Sequence, residues 1–285
     1  MRGDRAVTRA DVLLAARGFA PSRAKAQELI KSGAVRVGER LVTKPSEELP
    51  TDAAITVEQN AALRYVGRGG LKLEKALSVF GISVAGKTCA DIGASTGGFT
   101  DCLLQNGAGL VYAVDVGHDQ LDARLRGDCR VVNREGVNAK ALTPALFEKA
   151  PQFLCADLSF ISVTKVFAPM KAVLAAGGEA VVLVKPQFEA GRTQLNRQGV
   201  VRSPNAHKAV LVAALEAAQA AGFVPAGLDY SPVTGGDGNI EYLLYLKTSG
   251  NCPLTDPVAC VARAHQALKE RGSRDYLHLP ESEKR

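Results

Sequence analysis

The segment between Thr88 and Val116 constrains this chain more than any other. An apolar run, Thr88–Ile92, carries Asp91 near its end and passes into Gly93-Ala94-Ser95-Thr96-Gly97-Gly98-Phe99. A helical stretch then runs through Leu103-Leu104 to Asn106-Gly107. A second apolar run, Leu110–Val116, places Asp115 near its end, 24 residues after Asp91. Short apolar runs bounded by turn residues read as strands buried on both faces. A glycine-rich turn after one strand and an acid closing the next are what a nucleoside ligand needs. The glycines admit close backbone approach, and the carboxylate accepts hydrogen bonds from ribose hydroxyls.

The alternation continues. Arg130–Asn133, Phe153–Ala156 (leading into Asp157-Leu158-Ser159-Phe160) and Glu179–Val184 (leading into Lys185-Pro186-Gln187-Phe188) read as strands. So do a segment ending near Leu228 and the run Tyr242–Leu246, which Glu241 opens. Helical patterns at about 143–150, 162–176 and 204–221 separate them. This predicts an α/β class, a mainly parallel Rossmann-like sheet covered on both faces. Ligands in such sheets sit at the carboxyl ends of strands, where Asp91, Asp115, Asp157 and Lys185 stand. Four charged residues there, in an otherwise apolar sheet, point to a site. The loop spacing is G-x-x-x-G-G, where a dinucleotide fold wants G-x-G-x-x-G at a helix-end pyrophosphate site. S-adenosylmethionine has no phosphates to cradle, and an acid such as Asp91 suits its cationic methionine end. The pattern favours that methyl donor; nicotinamide or flavin binding and a ligand-free turn are the alternatives.

Charge is distributed unevenly. Residues 1–44 hold ten Lys/Arg against four acids, a surplus of six that equals the net +6 of the whole chain. A basic module beside a neutral body predicts a polyanion partner held by one end. In that module Thr8 and Asp11 form a capping-box pattern for a helix with Val12, Leu13 and Ala16 as its apolar stripe, ended by Gly18. Pro21-Ser22 opens a second helix with Ala26, Leu29 and Ile30 inward and Gly33 as its stop. Short β segments follow at Val35–Val37, Leu41-Val42 and Ala53–Val57. Ser22-Arg23-x-x-Ala26-x-x-Leu29-Ile30-x-x-Gly33-x-Val35-x-Val37 resembles the S4 RNA-binding domain, which is small and α+β. The resemblance implies that domain over residues 6–60, a linker at 61–67, and RNA contacts through Arg9, Arg23, Lys25, Lys31 and Arg36, with Arg68 beyond the linker.

Three further motifs carry a wider resemblance. Asp91-Ile92-Gly93-Ala94-Ser95-Thr96-Gly97-Gly98-Phe99-Thr100-Asp101, Ala156-Asp157-Leu158-Ser159-Phe160-Ile161-Ser162 and Val184-Lys185-Pro186-Gln187-Phe188-Glu189 together resemble the TlyA family. Its members, often labelled haemolysin A, join an S4 domain to an FtsJ-like methyltransferase domain, here over residues 68–248. The resemblance covers about residues 6–247 and implies S-adenosylmethionine-dependent methylation of a ribose 2′-hydroxyl, that of cytidine, in ribosomal RNA. It places the family's Lys-Asp-Lys-Glu tetrad on Lys72, Asp157, Lys185 and Glu241. Methyl-donor contacts fall on Asp91, Gly93, Ala94, Ser95, Thr96, Gly97, Gly98, Phe99, Asp115, Asp157 and Asn138, the last beside the adenine. Where the family often has Arg, this chain has Lys140. A ribose hydroxyl is a poor nucleophile, so methyl transfer requires alignment and a group that takes or steadies the proton. Lys185 is assigned that place, as base or as orienting cation. Lys75 is a near neighbour that competes with Lys72 for the first tetrad position.

The implied partners are ribosomal RNA and ribosomal subunits, with no membrane, no metal and no obligate protein partner. No apolar signal core follows Met1, and no apolar stretch reaches membrane-span length, which predicts a cytoplasmic protein. Six cysteines without a C-x-x-C pair read as reduced, mostly buried thiols, and four scattered histidines give no metal spacing. A pore-forming toxin, a non-catalytic ribosome-assembly factor and a pseudouridine synthase fit less well. The first lacks a spanning or strongly amphipathic segment. The tetrad would be superfluous in the second, and the third needs a different body. Residues 249–285 read as a polar tail with a short helix near 258–269.

Overall fold

The computed structural model describes residues 6–31, 33–57, 64–251 and 255–277, apart from the side chains of Glu28, Lys31 and residues 268–277. The chain forms two compact units, residues 1–67 and 68–285.

In the first unit, helices α1 (Ala10–Ala16) and α2 (Arg23–Lys31) share a core with short strands. Strand β1 (Val7–Arg9) takes a place where no strand was expected. Strands β2 (Val35–Val37) and β3 (Arg40–Leu41) form the anticipated hairpin, and β4 (Glu48–Pro50) pairs antiparallel with β1. Strand β5 (Ile55–Val57) completes a three-stranded sheet in the order β3-β2-β5. Helix α2 follows its sequence signals: Ser22 Oγ accepts the Lys25 N–H, and Ala26, Leu29 and Ile30 are buried. Helix α1 corrects them. Thr8 lies in β1, and the cap position is Arg9, with no side-chain cap bond. Asp11 is drawn inward instead, accepting hydrogen bonds from Arg9, Arg23 and Gln27. Those three donors turn the helix so that Ala10, Leu13 and Leu14 are buried while Val12 and Ala16 face out.

The second unit is built on a seven-stranded sheet. Helix α3 (Gly69–Val79) precedes β6 (Thr88–Ile92), α4 (Gly98–Gln105) and β7 (Leu110–Val114). Helix α5 (Ala123–Arg126), β8 (Val131–Arg134), β9 (Phe153–Ala156) and α6 (Phe167–Val173) follow. Next come β10 (Glu179–Val184), α7 (Pro186–Glu189), α8 (Pro204–Ala220), β11 (Val224–Tyr230), β12 (Tyr242–Lys247) and α9 (Pro257–Leu277). The strand order is β11-β12-β10-β9-β6-β7-β8, and every pairing not involving β12 is parallel. Strands β9 and β10 at the centre of the sheet are apolar apart from Glu179, because helices cover both faces. Phe153, Leu154, Val181, Val182 and Leu183 have no exposed surface.

Two sequence expectations in this unit are corrected. The helix expected near 143–150 is one 3-10 turn, Pro144–Leu146. Phe147 leaves the helical path to pack edge-on against Tyr112 at 5.1 Å, and Lys149 N–H donates to the Tyr112 hydroxyl. The stretch read as a polar tail contributes to the core: α9 buries Cys260, Val261 and Ala264. Cys89, Cys102, Cys155 and Cys260 are free and buried, Cys129 is free and exposed, and Cys252 lies outside the described residues. Among the described residues, no helix is long and apolar enough to cross a membrane, and no cluster of three His, Cys, Asp or Glu is placed to hold a metal.

Candidate active site

The turn after β6 is held from three sides. Asp91 is fully buried and its Oδ2 accepts both the backbone N–H (2.8 Å) and the hydroxyl (2.7 Å) of Thr100, tying the strand end to α4. Gly93 has φ +85°, and a Cβ there would lie 2.7 Å from the Asp157 carbonyl oxygen, so only glycine fits. Gly97 has φ +96° and would strike Leu121 and Leu125 with any side chain. Ser95, itself at φ +48°, donates its N–H to Asp115 Oδ2 at 2.8 Å. The N–H groups of Gly93 and Ala94 bond the Val114 carbonyl, and that of Gly97 bonds the Ala94 carbonyl. These loop amides are therefore spent inside the protein and form no phosphate cradle.

The four tetrad positions come from four separate elements. Lys72 on α3, Asp157 after β9, Lys185 after β10 and Glu241 before β12 meet in one linear ion-pair chain. Lys185 Nζ lies 2.6 Å from Asp157 Oδ1; Lys72 Nζ lies 3.1 Å from Asp157 Oδ2 and 2.6 Å from Glu241 Oε2. Lys185 Nζ also donates to Ser159 Oγ at 3.1 Å. Lys72, Lys185 and Glu241 are all buried. Burial alone would push Asp157 up, but the two ammonium groups outweigh it and hold its carboxyl below the ordinary carboxylate range. Burial likewise opposes the charge on Lys72, and Asp157 and Glu241 overcome it, raising Lys72 above the usual lysine value. Lys75, the competing lysine, is occupied elsewhere: it pairs with Asp229 at 2.9 Å and donates to the Tyr230 carbonyl.

A cavity of about 1220 Å³ opens beside this chain, lined among others by Gly93, Ser95, Asp115, Val116, Asn138 and Asp157. Of the expected donor contacts, those four polar or glycine wall positions and Asp157 reach it. Asp91, Ala94, Thr96, Gly97, Gly98 and Phe99 are not on its wall; they shape the turn behind it. Asn138 Oδ1 also accepts the Lys140 N–H, which fixes the segment that follows β8.

The FtsJ-like methyltransferase profile matches residues 65–248, and the S4 domain profile matches residues 8–55. A Bacillus subtilis protein provisionally named as the rRNA methyltransferase YqxC is 47% identical over 270 residues, 92% of this chain and 96% of that protein. The 16S/23S rRNA (cytidine-2′-O)-methyltransferase TlyA of Mycobacterium tuberculosis is 40% identical over 275 residues, 96% of this chain and 97% of its own length. The chain belongs to the TlyA family of FtsJ-like methyltransferases. A solved structure from Streptococcus thermophilus, provisionally described as a hemolysin, superposes with a TM-score of 0.75 at 42% identity, covering 94% of this chain and 99% of that one.

Sequence reasoning missed the aromatic mouth of this TlyA-family site. Phe160 is 92% exposed with φ +63°, a conformation a bulky L-residue adopts only when its surroundings impose it. Its ring stands 5.3 Å from that of Phe188, whose own ring lies 5.9 Å from Lys185 Nζ. The motifs contain both residues, but a linear pattern carries no sign that one apolar side chain faces solvent. In the S4 unit, Arg9 and Arg23 both pair with the buried Asp11 at 3.0 and 2.9 Å, and their side chains remain 43% and 55% exposed. Lys25 is half-buried and donates to the Tyr65 carbonyl, and Arg36 donates to the Glu39 carbonyl. Arg68 is exposed at the start of α3, and the Lys31 side chain lies outside the described residues.

Asp91 supplies a first testable consequence. Burial pushes its carboxyl up to about 7, reinforced by the charges of Asp157 and Asp115 and opposed by the Thr100 bonds. A carboxyl whose folded pKa is raised stabilises fully below its unfolded value and loses that contribution as pH rises through the folded one. Wild-type stability is therefore expected to fall between about pH 4 and 7 through this group. Asp91→Asn, which keeps an acceptor for Thr100, is expected to gain on wild type across that window by roughly 2–4 kcal/mol. Unfolding midpoints of both proteins at pH 5 and pH 8 check this; an equal difference at the two pH values contradicts it.

Proposed function

We propose that this chain transfers the methyl group of S-adenosylmethionine to the ribose 2′-hydroxyl of a cytidine in ribosomal RNA, held in part by its S4 domain. The observation that carries the reading is the buried Lys185–Asp157–Lys72–Glu241 chain, whose Asp157 also walls the cavity. That cavity suits a nucleoside without phosphates. The Gly93, Ala94, Ser95 and Gly97 amides of its loop have internal partners, Asp115 offers carboxylate oxygens to ribose hydroxyls, and Val116, 65% exposed, supplies an apolar wall for a base. The M. tuberculosis relative named for cytidine-2′-O methylation supports the substrate class.

When bound, S-adenosylmethionine supplies a methyl on a positively charged sulfur, a leaving group that departs as a neutral thioether. The residues of this chain would do the rest. Lys185 Nζ already donates to a hydroxyl oxygen, that of Ser159, and it is the contact for the ribose hydroxyl. As an ammonium it orients that oxygen and steadies developing charge; as an amine it accepts the proton released when the O–C bond forms. Asp157 holds Lys185 from one side and Lys72 from the other, and Glu241 anchors Lys72, so the reacting end is fixed from three strand ends and a helix. Such fixed alignment can supply about 7–11 kcal/mol of a barrier to a displacement that needs no covalent intermediate. The exposed Phe160 beside Phe188 offers an aromatic face to an unstacked base at the mouth.

Incubation with methyl-labelled S-adenosylmethionine and ribosomal subunits from cells lacking this protein tests the reading. Label is expected in the RNA fraction, and chemical cofactor binding without RNA label would redirect the search to another acceptor. Absence of donor binding would sink the methyltransferase reading and favour a purely RNA-binding role.

A further inference from the structure

Two of the motifs that carry the site lie side by side and touch at three successive points. At the first, Lys185 Nζ meets Asp157 Oδ1 at 2.6 Å and Ser159 Oγ at 3.1 Å. At the second, the Phe160 and Phe188 rings stand 5.3 Å apart. At the third, Glu189 closes the pair: its Oε2 accepts the Ser162 hydroxyl at 2.6 Å and its Oε1 accepts the Val163 N–H at 2.8 Å. Ser162 Oγ is also within 2.7 Å of Thr164 Oγ1 and accepts the Thr164 N–H, so the carboxylate grips the whole start of the 3-10 turn Val163–Lys165. Among the described residues, no hydrogen bond or ion pair joins Glu189 to the ion-pair chain itself.

The segment between the first and third points needs such a grip. Phe160 sits at φ +63° with its side chain in solvent, so neither backbone preference nor burial holds it there. A residue in that conformation persists when flanking contacts over-determine it. Lys185–Asp157 fixes one flank and Glu189–Ser162/Val163 the other. Glu189 sits at the end of α7, whose start is set by Lys185 and Pro186, so the four-residue helix transmits its position to Lys185 directly.

We infer that Glu189 is a positioning residue: its carboxylate latches the Asp157–Ser162 segment to α7, and this keeps Phe160 at the mouth and Lys185 Nζ between Asp157 and Ser159. The inference rests on the methyl-transfer reading of this site. Charge-assisted bonds to a backbone N–H and a hydroxyl are strong enough to fix a loop, and a displacement of about 1 Å in a reacting group costs on the order of 10²-fold in rate.

The test uses the full chain with labelled S-adenosylmethionine and ribosomal subunits, measuring kcat, KM for RNA and, separately, donor Kd. Glu189→Ala is expected to lower kcat by roughly 10- to 100-fold and raise the RNA KM several-fold, with donor Kd within about twofold of wild type. Glu189→Gln keeps one acceptor and is expected to fall between. Ser162→Ala is expected to lower kcat less, and to add little in the Glu189→Ala background, because both remove one latch. Wild-type kcat in Glu189→Ala, donor affinity lost in step with kcat, or full additivity of the two substitutions would each overturn the inference. If Glu189→Ala does not fold, undiminished kcat in both Glu189→Gln and Ser162→Ala overturns it. A wild-type protein that transfers no methyl to RNA fails the underlying reading instead, which separates the two failures.

Discussion

Lys185→Ala is expected to slow single-turnover methyl transfer to RNA by roughly 10³-fold or more, with donor affinity and unfolding midpoint changed little. The rate loss follows from position. Lys185 is the end of the ion-pair chain, bound to one carboxylate and to the Ser159 hydroxyl, and a group that orients or deprotonates a nucleophile contributes about 10²–10⁴-fold. The mild effect on stability follows from connectivity: with Lys185 removed, Asp157 keeps Lys72 as its counter-charge. Lys72 would be the less informative substitution, because it would leave Glu241 buried without a cation, a change that costs about 3–5 kcal/mol in folding. Stopped-time label transfer with donor titration separates the two properties. Loss of donor binding in Lys185→Ala would move that lysine from the reacting end to the donor pocket.

Gly93→Ala is expected to damage donor binding and transfer together, lowering kcat/KM for the donor by about 10²-fold. At φ +85° an alanine is strained by about 1–2 kcal/mol. Its Cβ would also press on the Asp157 carbonyl from 2.7 Å and on Leu158 from 3.0 Å. The backbone that must yield is the one that carries Asp157, so the cavity wall and the ion-pair chain shift as a unit. A cost of roughly 2 kcal/mol in a unit of this size lowers the unfolding midpoint by about 4–8 °C. Differential scanning calorimetry together with donor titration checks both effects; unchanged donor affinity would show that Gly93 is a turn residue remote from the ligand.

The body of the fold was legible because a parallel sheet covered on both faces leaves a plain trace. Phe153–Ala156 is apolar throughout and Glu179–Val184 is apolar after its first residue, each is followed by a charged residue, and both strands have those bounds in the structure. The glycine-rich turn was equally plain, since φ > 0 and close approach admit few other residues. The assembly of the tetrad was not. Lys72 and Glu241 are far apart in the chain, and no periodicity pairs them; family resemblance suggested the set, and the fold brings the four side chains within ion-pair distance. Local rules failed where tertiary contacts overruled them. Asp11 looked like a capping acid, and two arginines and a glutamine drew it inward. Residues 143–150 had helical propensity, and the Tyr112 ring and hydroxyl claimed Phe147 and Lys149. Strands β1 and β4 are three residues each, too short for alternation to register. The α9 stripe of Cys260, Val261 and Ala264 was hidden by the polar residues around it.

The chemical location of the transferred methyl tests the central claim most directly. RNA labelled by the wild-type protein would be hydrolysed in alkali and digested to nucleosides for mass analysis. The account predicts label in an alkali-resistant dinucleotide that yields a ribose-methylated cytidine, because in the proposed mechanism the ion-pair chain aligns a ribose hydroxyl. Label on a nucleobase, with every backbone linkage still alkali-sensitive, would contradict it.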